Sequence, residues 1–490
     1  MKADFLQEPE LEFGGGKHID IKFGLMDFGP LDYENPLAPK KIKLGIVGTP
    51  ETIEGTTKWL EKCSTGIHAK TSKRPNLFPR FPGFGEGMRL PAEFLIDGQL
   101  QRSIPERRFE DLCRGARTDD KVIAIADLFL TELEYLSQKT NADVFICAFP
   151  FTLVKFLDQD DDEVIFAEQE EEDVQSEEII QEVPSKLILH DYLKAKAMRF
   201  KKPAQIIRPG TYDERKRLKR RHPSGDARQL QDEATRAWNL YIALYYKAGG
   251  APWRLLRQSS ELDTCYVGIS FYKTVDETRL LTSTAQVFNE RGEGVIVRGG
   301  PAKLSKDDKQ IHLTFDDAYT LLTTSLKNYR TEHKNFPARV VIHKSSIHNT
   351  AEMAAFEKAL RECSIDPEQA DFLSITRSFT RLFRPNRYPP LRGTFFETDG
   401  KLFVLYTKGS VDFFSAYPGM YVPRPLGFRC DKTAETPTRL AQELLALTKM
   451  NWNNTQFDRS EPITMRAARQ VGSILKHVGT DYEPYYRYYM

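Results

Sequence analysis

Hydrophobic and polar positions in the first half of the chain alternate between strand-like runs and helix-like periods. The segment KIKLGIVGTPETIEGTTKWLEKC predicts a strand, a tight turn at Gly48-Thr49-Pro50, and a helix that begins near Glu51. Apolar runs recur at VIAIADLFL and ADVFICAFP beside helical patterns, KLILHDYLKAKAMRF has a helical period, and the short strand PAQIIRP ends at Pro209. This alternation predicts an α/β domain with a mostly parallel sheet.

A long amphipathic helix closes this half of the chain. The pattern QDEATRAWNLYIALYYKAGGAPWRL predicts a helix that ends at Gly249-Gly250, with Pro252 just beyond. From about Leu262 the pattern changes to three consecutive strands, TCYVGISFYKT, LTSTAQVFNERGEG and VIVRGG, which are followed by helix, strand, helix and strand. That order is typical of an RNase H-like domain. We therefore predict two domains, residues 1–254 and 255–490.

Length and composition narrow the class of protein. A chain of 490 residues is too long for a single hydrophobic core, and 40% hydrophobic residues suffice for ordinary cores. No apolar run approaches the roughly 18 residues of a membrane helix, and MKADFLQEPELEF lacks the apolar segment of a secretion signal. The six cysteines include no CxxC pair, which argues against a zinc knuckle and for reduced thiols. We expect a cytoplasmic protein.

The net charge of +1 hides an uneven distribution. Residues 158–182 hold 13 acidic residues among 25 positions and no Lys or Arg. The remainder of the chain therefore has a net charge of +14. Residues 186–221 hold 13 basic residues against three acidic ones. A basic body with one acidic insert fits a protein that binds polyanions. The insert itself is interpreted as a surface loop, with a segment that shields the basic surface from nucleic acid as the alternative.

Four residues of the first domain have the chemistry of a phosphate site. His190 and Lys194 are four apart in a predicted helix and share a face, Gln205 lies on the next strand, and Lys247 lies in the last turn of the long helix. Ammonium groups and an amide suit phosphate oxygens, and an imidazole suits the first base of a nucleic-acid end. Each alone would be an ordinary surface residue. The GTPE turn is interpreted as a plain strand–helix connection, with a small phospho-ligand enzyme as the alternative.

The order of four segments resembles the MID and PIWI domains of Argonaute proteins. HDYLKAK is followed by PAQIIRP, NLYIALYYKAGGAPWRL and CYVGISFYK. The segments VVIHKSS and LALTKMNWNNTQFDRSEPITMRAARQVGSIL extend the resemblance over most of the chain. The chain resembles most closely the short prokaryotic Argonautes, which lack the N and PAZ domains. The fold that this implies is α/β, with a Rossmann-like MID domain followed by an RNase H-like PIWI domain.

The resemblance gives the four polar residues one role. His190, Lys194, Gln205 and Lys247 match the positions that bind the 5′-phosphate of a guide in that family. The family often holds a divalent cation there through the guide phosphates and the C-terminal carboxylate, which belongs to Met490 here, and oxygen ligands suit Mg²⁺. Simple packing of the aromatic tail DYEPYYRYYM into the core is an equal alternative.

The resemblance also marks the positions at which active relatives carry metal-binding carboxylates. Here Ser270 or a neighbour stands on the first strand of the PIWI domain, Ser345 follows the fourth, and Arg469 occupies the last position. Glu293 resembles the mobile glutamate of the family but fits a hairpin residue better. Because two-metal cleavage needs several carboxylates, we expect no catalytic residues and no cleavage.

A basic and aromatic stretch, ITRSFTRLFRPNRYPPLRGT, holds five arginines in 16 residues without an acidic residue. We predict that it contributes to a nucleic-acid groove together with polar residues of LTKMNWNN. The predicted groove residues are Arg377, Arg381, Arg384, Arg387, Arg392, Lys449, Asn451 and Asn453.

The resemblance implies a function in prokaryotic defence against plasmids and phage. A small 5′-phosphorylated guide, expected to be RNA, would pair with a single-stranded DNA target and activate a separate APAZ-containing effector. That partner would carry a TIR, Sir2 or nuclease domain, and the pair would form a heterodimer or a higher oligomer on activation. A guide-directed endonuclease that uses unrecognised carboxylates is the alternative.

Overall fold

The structure is a computed structural model that describes residues 3–158, 187–216, 230–256, 262–276, 278–287, 294–385, 389–419, 422–479 and 482–490. Residues 159–182 of the acidic insert lie outside the described residues, as do Glu293 and Arg387. Among the helices of the described ranges, none is both long enough and apolar enough to cross a membrane.

The first part of the chain contains nine strands and seven α-helices among its described residues. In chain order they are β1 (Ala3–Phe5), β2 (Leu11–Glu12), β3 (Lys17–His18), α1 (Ile21–Phe28), β4 (Lys41–Gly48), α2 (Pro50–Ser64), β5 (Glu93–Leu95), β6 (Gln101–Ser103), α3 (Glu106–Leu112), α4 (Asp119–Lys139), β7 (Val144–Ala148), α5 (Phe151–Leu157), α6 (Leu189–Ala197), β8 (Ala204–Ile207), α7 (Glu233–Lys247) and β9 (Arg254–Leu255).

A five-stranded parallel sheet forms the centre of this first unit. Its order is β5-β4-β7-β8, and β6 also pairs with β4. At the end of β4 the Thr49 side chain caps α2 by accepting from the Thr52 amide, and the Thr52 hydroxyl donates to the Ala148 carbonyl at 3.1 Å. Both hydroxyls are therefore used within the protein, which favours the plain strand–helix connection predicted for the GTPE turn.

One apolar run of the first domain forms a helix instead of a strand. Residues 122–130, VIAIADLFL, lie inside α4, which Thr118 caps. Burial in α4 recurs at Val122, Ile125, Phe129 and Leu133, a spacing of three and four residues that belongs to a helix. The run is almost wholly apolar because α4 packs against other helices as well as the sheet, which hides the period in the sequence.

The second part of the chain contains nine strands and four α-helices among its described residues. They are β10 (Thr264–Lys273), β11 (Leu280–Val287), β12 (Gly294–Leu304), β13 (Ile311–Leu313), α8 (Phe315–His333), β14 (Arg339–Lys344), α9 (Thr350–Glu362), β15 (Ala370–Arg377), β16 (Thr394–Asp399), β17 (Leu402–Leu405), β18 (Leu426–Lys432), α10 (Pro437–Leu447) and α11 (Ile463–Leu475).

These strands build a ten-stranded mixed sheet with the order β1-β16-β17-β18-β15-β14-β10-β11-β12-β13. The central β10 pairs antiparallel with β11 and parallel with β14, and β14 pairs parallel with β15. The predicted succession of three strands, helix, strand, helix and strand is thereby confirmed. The short strand β13, which extends the hairpin edge, was not predicted.

The N-terminal segment crosses the boundary drawn at residue 254. Strand β1 pairs antiparallel with β16 and so belongs to the ten-stranded sheet, while β2 pairs with β3 and with β9. The two units also share a core: Trp452 donates its indole hydrogen to the Trp253 carbonyl at 3.0 Å, and Tyr246 stacks on Trp452 with ring centroids 5.1 Å apart. The N-terminus and the tryptophans therefore hold the two units together.

Candidate functional site

Three elements of the first unit position the predicted phosphate residues. Helices α6 and α7 both pack against β8, the edge strand of the parallel sheet. His190 and Lys194 lie on α6, Gln205 on β8, and Lys247 is the last residue of α7. The imidazole and both lysine side chains are buried. Buried cations near a helix end are costly unless oxygen atoms surround them, so this position favours an anion.

Asp191 orients the imidazole of His190. The two side chains are buried, and His190 Nδ1 lies 2.8 Å from Asp191 Oδ1. Burial alone would raise the pKa of Asp191, but the hydrogen bond and charge of His190 outweigh burial and lower the pKa. Because an ionised carboxylate only accepts hydrogen bonds, Nδ1 carries the hydrogen and Nε2 points elsewhere. The role of Asp191 was not predicted, although this residue directly follows His190.

The C-terminal tail lies against Lys194. Lys194 Nζ donates to the carbonyl oxygen of Tyr489 at 3.4 Å, and the Tyr488 hydroxyl donates to the Lys201 carbonyl at 3.0 Å. Tyr489 and Met490 are buried. The tail is anchored on its other side to the second unit, where the Tyr486 hydroxyl donates to Gln470 Oε1 on α11 at 2.8 Å. The chain therefore ends between the two units, beside the lysine that the sequence singled out.

Lys247 is the last residue of α7, the helix that packs against residues 486–488 of the tail. Its Nζ donates to Asn453 Oδ1 at 3.3 Å. Gly249, with φ of +96°, ends the helix, and a Cβ at Gly249 would lie 3.3 Å from Arg487 Nη1. Lys194 therefore contacts the C-terminal segment directly, whereas Lys247 ends a helix that packs against it and directs its ammonium group to Asn453.

In this structure the side-chain amide nitrogen of Gln205 has a backbone partner, whereas the prediction gave it a phosphate partner. Its amide Nε2 donates to the carbonyl of Ile206 at 3.0 Å, so in this structure that nitrogen serves the backbone of its own strand. Its Oε1 atom is buried without a hydrogen-bond partner among the described atoms. An unsatisfied buried oxygen is unfavourable and suits a donor from a bound ligand or a cation.

A second cluster lies at the carboxyl ends of β10 and β14. Ser270 is buried on β10, and Ser345 follows β14, where its amide donates to the Ile269 carbonyl at 3.1 Å. Helix α11 begins directly behind them, since a Cβ on Gly268 would lie 2.2 Å from the Thr464 carbonyl oxygen. The structure therefore brings the two serines together on adjacent parallel strands, beneath the helix that carries Arg469.

Glu461 pairs with Arg469 and is influenced by the charges of two further arginines. Arg469 Nη2 lies 2.6 Å from Glu461 Oε2. Burial alone would raise the pKa of Glu461, but the charges of Arg469, Arg377 and Arg466 outweigh it and lower the pKa. A carboxylate already neutralised by guanidinium groups is a poor metal ligand. In the described part of the chain, no group of three or more His, Cys, Asp or Glu side chains could hold a metal ion.

Comparison with known proteins places this geometry in a recognisable fold. No protein-family model and no curated protein matches the chain. Among solved structures, Clostridium butyricum Argonaute bound to a guide DNA and a 19-mer target DNA matches 97% of this chain and 53% of its own, with TM-score 0.62 and 14% identity. The chain has the Argonaute MID–PIWI fold. It spans little more than half the length of that protein.

Two further structures have the same fold. Drosophila Piwi matches 99% of the chain with TM-score 0.58 and 10% identity, over 56% of its own length. Marinitoga piezophila Argonaute in complex with a 5′-OH guide RNA matches 100% with TM-score 0.54 and 12% identity, over 59% of its length. The parallel sheet with α6 and α7 is accordingly the MID unit, and the ten-stranded sheet is the PIWI unit.

The structure separates the predicted groove residues of the PIWI unit into two groups. Arg377 and Arg381 are exposed, and Arg384 is half-buried with its guanidinium donating to the Pro389 carbonyl at 3.0 and 3.2 Å. Asn451 is buried, and its Oδ1 accepts the Asn453 amide at 3.1 Å. Arg377 and Arg381 therefore remain groove candidates, and Asn451 stabilises its own turn.

Arg392 and Lys449 do not face a groove. Both are buried, and each pairs with Glu8, Arg392 Nε at 2.9 Å and Lys449 Nζ at 2.9 Å. Lys449 also donates to the carbonyls of Pro9 and Ile19. The prediction fails for these two residues because the N-terminal segment, which is remote in sequence, covers them in the fold.

Proposed function

We propose that the protein is a guide-dependent nucleic-acid sensor that binds the 5′-phosphate of a small guide at the MID unit. The observation that carries this proposal is the contact of the buried Lys194 with the C-terminal segment in an Argonaute-like fold, with the buried Lys247 at the end of a helix that packs against the same segment. Both ammonium groups donate to neutral oxygen atoms here. A phosphate dianion would give them stronger, charge-assisted hydrogen bonds.

The C-terminal carboxylate and the guide phosphates would hold a Mg²⁺ ion at this place. The donor set fits, because the Met490 carboxylate and the neighbouring carbonyl are hard oxygen ligands. The ion would neutralise negative charge of the guide phosphates. The buried Oε1 of Gln205 is a further oxygen in the same unit.

The binding of guides with different 5′ ends tests the proposal. In a filter-binding assay at fixed salt, we expect the protein to bind a 5′-phosphorylated guide at least roughly tenfold more tightly than the same guide with a 5′-hydroxyl, since each charge-assisted hydrogen bond adds about 1.5–3 kcal/mol. Sequencing of the nucleic acid that co-purifies would identify it as RNA or DNA. Equal affinity for the two guides would contradict the proposal.

We further propose that the PIWI unit does not cleave. The resemblance matches Ser270 or a neighbour, Ser345 and Arg469 to the positions of the metal ligands. Glu461, which pairs with Arg469, is held by arginines. When the guide-loaded protein is incubated with a complementary strand and Mg²⁺ or Mn²⁺, we expect the strand to remain intact. A cut at one defined position would support the alternative of a guide-directed endonuclease.

We also propose that the protein is a short Argonaute, with a single-stranded DNA target and an APAZ-containing effector as partner. The neighbour bound to a guide DNA and a target DNA supports the guide-and-target part of this proposal. Target pairing between the MID and PIWI units would change the surface presented to the effector and shift it from a silent to an active state. Co-expression with the product of the adjacent reading frame, followed by size-exclusion chromatography, would test the heterodimer.

A further inference from the structure

The segment after β15 presents arginine and phenylalanine side chains alternately to solvent. The four side chains of this exposed strip are those of Arg377, Phe379, Arg381 and Phe383. The two phenylalanines are 71% and 70% exposed, whereas the residues between the four are half-buried. Such alternation is that of an extended chain, in which every second side chain lies on the same face. Two phenyl rings exposed to this extent on one face of the same segment suit a binding surface.

The strip is held in place by the PIWI sheet. The Leu382 amide donates to the Tyr406 hydroxyl at 2.6 Å, and that hydroxyl donates to the Thr380 carbonyl at 3.4 Å. Leu382 itself packs against buried residues of β16 and β17, among them Phe396. The half-buried residues therefore anchor the segment, and the exposed side chains project from a fixed backbone.

The spacing and charge of the strip match an unpaired nucleic-acid strand. Side chains two residues apart in an extended chain are about 6–7 Å apart, so the two rings are about 13 Å apart with the Arg381 side chain between them. Each ring can then stack on a different base of one strand, with a phosphate beside the guanidinium. From Thr376 to Phe396 the sequence has no acidic residue, and the acidic side chain whose pKa the charge of Arg377 lowers, that of Glu461, lies elsewhere in the sequence. Exposed rings can stack on bases only where the bases are unpaired, because the faces of paired bases are covered by their neighbours in the duplex.

We propose that the exposed strip binds single-stranded nucleic acid, with the rings of Phe379 and Phe383 stacking on bases and Arg377 and Arg381 contacting the phosphates. The proposal extends the function given above, because the strip would hold the unpaired continuation of a guide or target strand. It does not depend on the 5′-phosphate site, which involves other residues.

Fluorescence anisotropy with a labelled 20-nucleotide oligothymidylate that carries a 5′-hydroxyl tests the strip. The double variant Phe379→Leu, Phe383→Leu keeps the apolar character and removes the rings, so we expect its affinity for the single strand to fall roughly tenfold or more. Its affinity for a blunt duplex of the same length should not change.

The double variant Arg377→Ala, Arg381→Ala should reduce the slope of log K against log salt by about 1.4, since each phosphate contact on a single strand contributes about 0.7.

The preference of the wild type for a 5′-phosphorylated over a 5′-hydroxyl guide separates this proposal from the proposed function, because the strip lacks the residues of the 5′-phosphate site. If the leucine variant loses single-strand affinity while the wild type shows no preference for a 5′-phosphate, single-strand binding by the strip is supported and the proposed 5′-phosphate site is contradicted. A leucine variant with unchanged single-strand affinity assigns the strip to another occupant, such as a protein, and overturns the proposal.

Photocrosslinking gives a second readout that does not depend on affinity. An oligonucleotide with 5-bromouracil should crosslink to Phe379 or Phe383 in the full-length protein, as mapped by mass spectrometry. Crosslinks confined to peptides outside residues 377–383 would also contradict the proposal.

Discussion

Replacement of Lys194 by Met should abolish most of the preference for a 5′-phosphorylated guide. Lys194 Nζ lies against the Tyr489 carbonyl at the end of the chain, and the methionine keeps the apolar stem but removes the charge. Loss of one charge-assisted hydrogen bond costs about 1.5–3 kcal/mol, which corresponds to a roughly 10- to 150-fold weaker affinity. The affinity for the 5′-hydroxyl guide should change little. Filter binding with both guides measures the effect.

Lys196 provides the matched control on the same helix. Its Nζ donates to the carbonyl of His477 at 3.1 Å, and it is half-buried. The variant Lys196→Met therefore removes a lysine of the same helix without altering Lys194. We expect its affinity for both guides to match that of the wild type. Equal losses of affinity for the two guides in the Lys194 variant would show a structural role instead of phosphate binding.

Replacement of Glu8 by Gln should destabilise the protein strongly. Glu8 is the shared partner of the buried Arg392 and Lys449, and its own side chain is only 15% exposed. Removal of one partner of a buried ion pair leaves uncompensated charge, which costs about 3–5 kcal/mol. The free energy of unfolding from urea denaturation, followed by circular dichroism, measures the loss.

Glu10 is the matched control for Glu8. It pairs with Lys17 at 2.6 Å, but both side chains are exposed, so Glu10→Gln should cost no more than about 1 kcal/mol. Equal losses in the two variants would contradict the importance of the buried cluster.

The stability that Glu8 provides should depend on pH. Burial alone would raise the pKa of Glu8, but the charges of Arg392 and Lys449 outweigh it and hold the pKa below its ordinary value of 4.5. A lowered carboxyl pKa stabilises the fold fully above the ordinary pKa and ceases to do so as pH falls through the lowered value. The difference in unfolding free energy between wild type and Glu8→Gln should therefore be constant near neutral pH and shrink only in acid.

The candidate site could be predicted in part because its residues are close in sequence or lie at helix ends. The spacing of His190 and Lys194 places both on α6, and Gly249-Gly250 fixes the end of the helix that carries Lys247. The orientation of the Gln205 amide could not be predicted, because it depends on the backbone carbonyl that lies nearest in the folded strand. Asp191 has a sequence signal, an acidic residue next to the histidine, but adjacent residues on a helix rarely share a face.

The sequence alone determined most of the order of strands and helices, since hydrophobic period, capping residues and glycines act over a few positions. It did not determine which cations are buried. Arg381 and Arg392 belong to one basic stretch, yet Arg381 is exposed while Arg392 pairs with Glu8, 384 residues away. The charge of a side chain is local information, whereas its burial depends on what the rest of the chain places against it. Only the tertiary structure could therefore distinguish a binding arginine from a structural one.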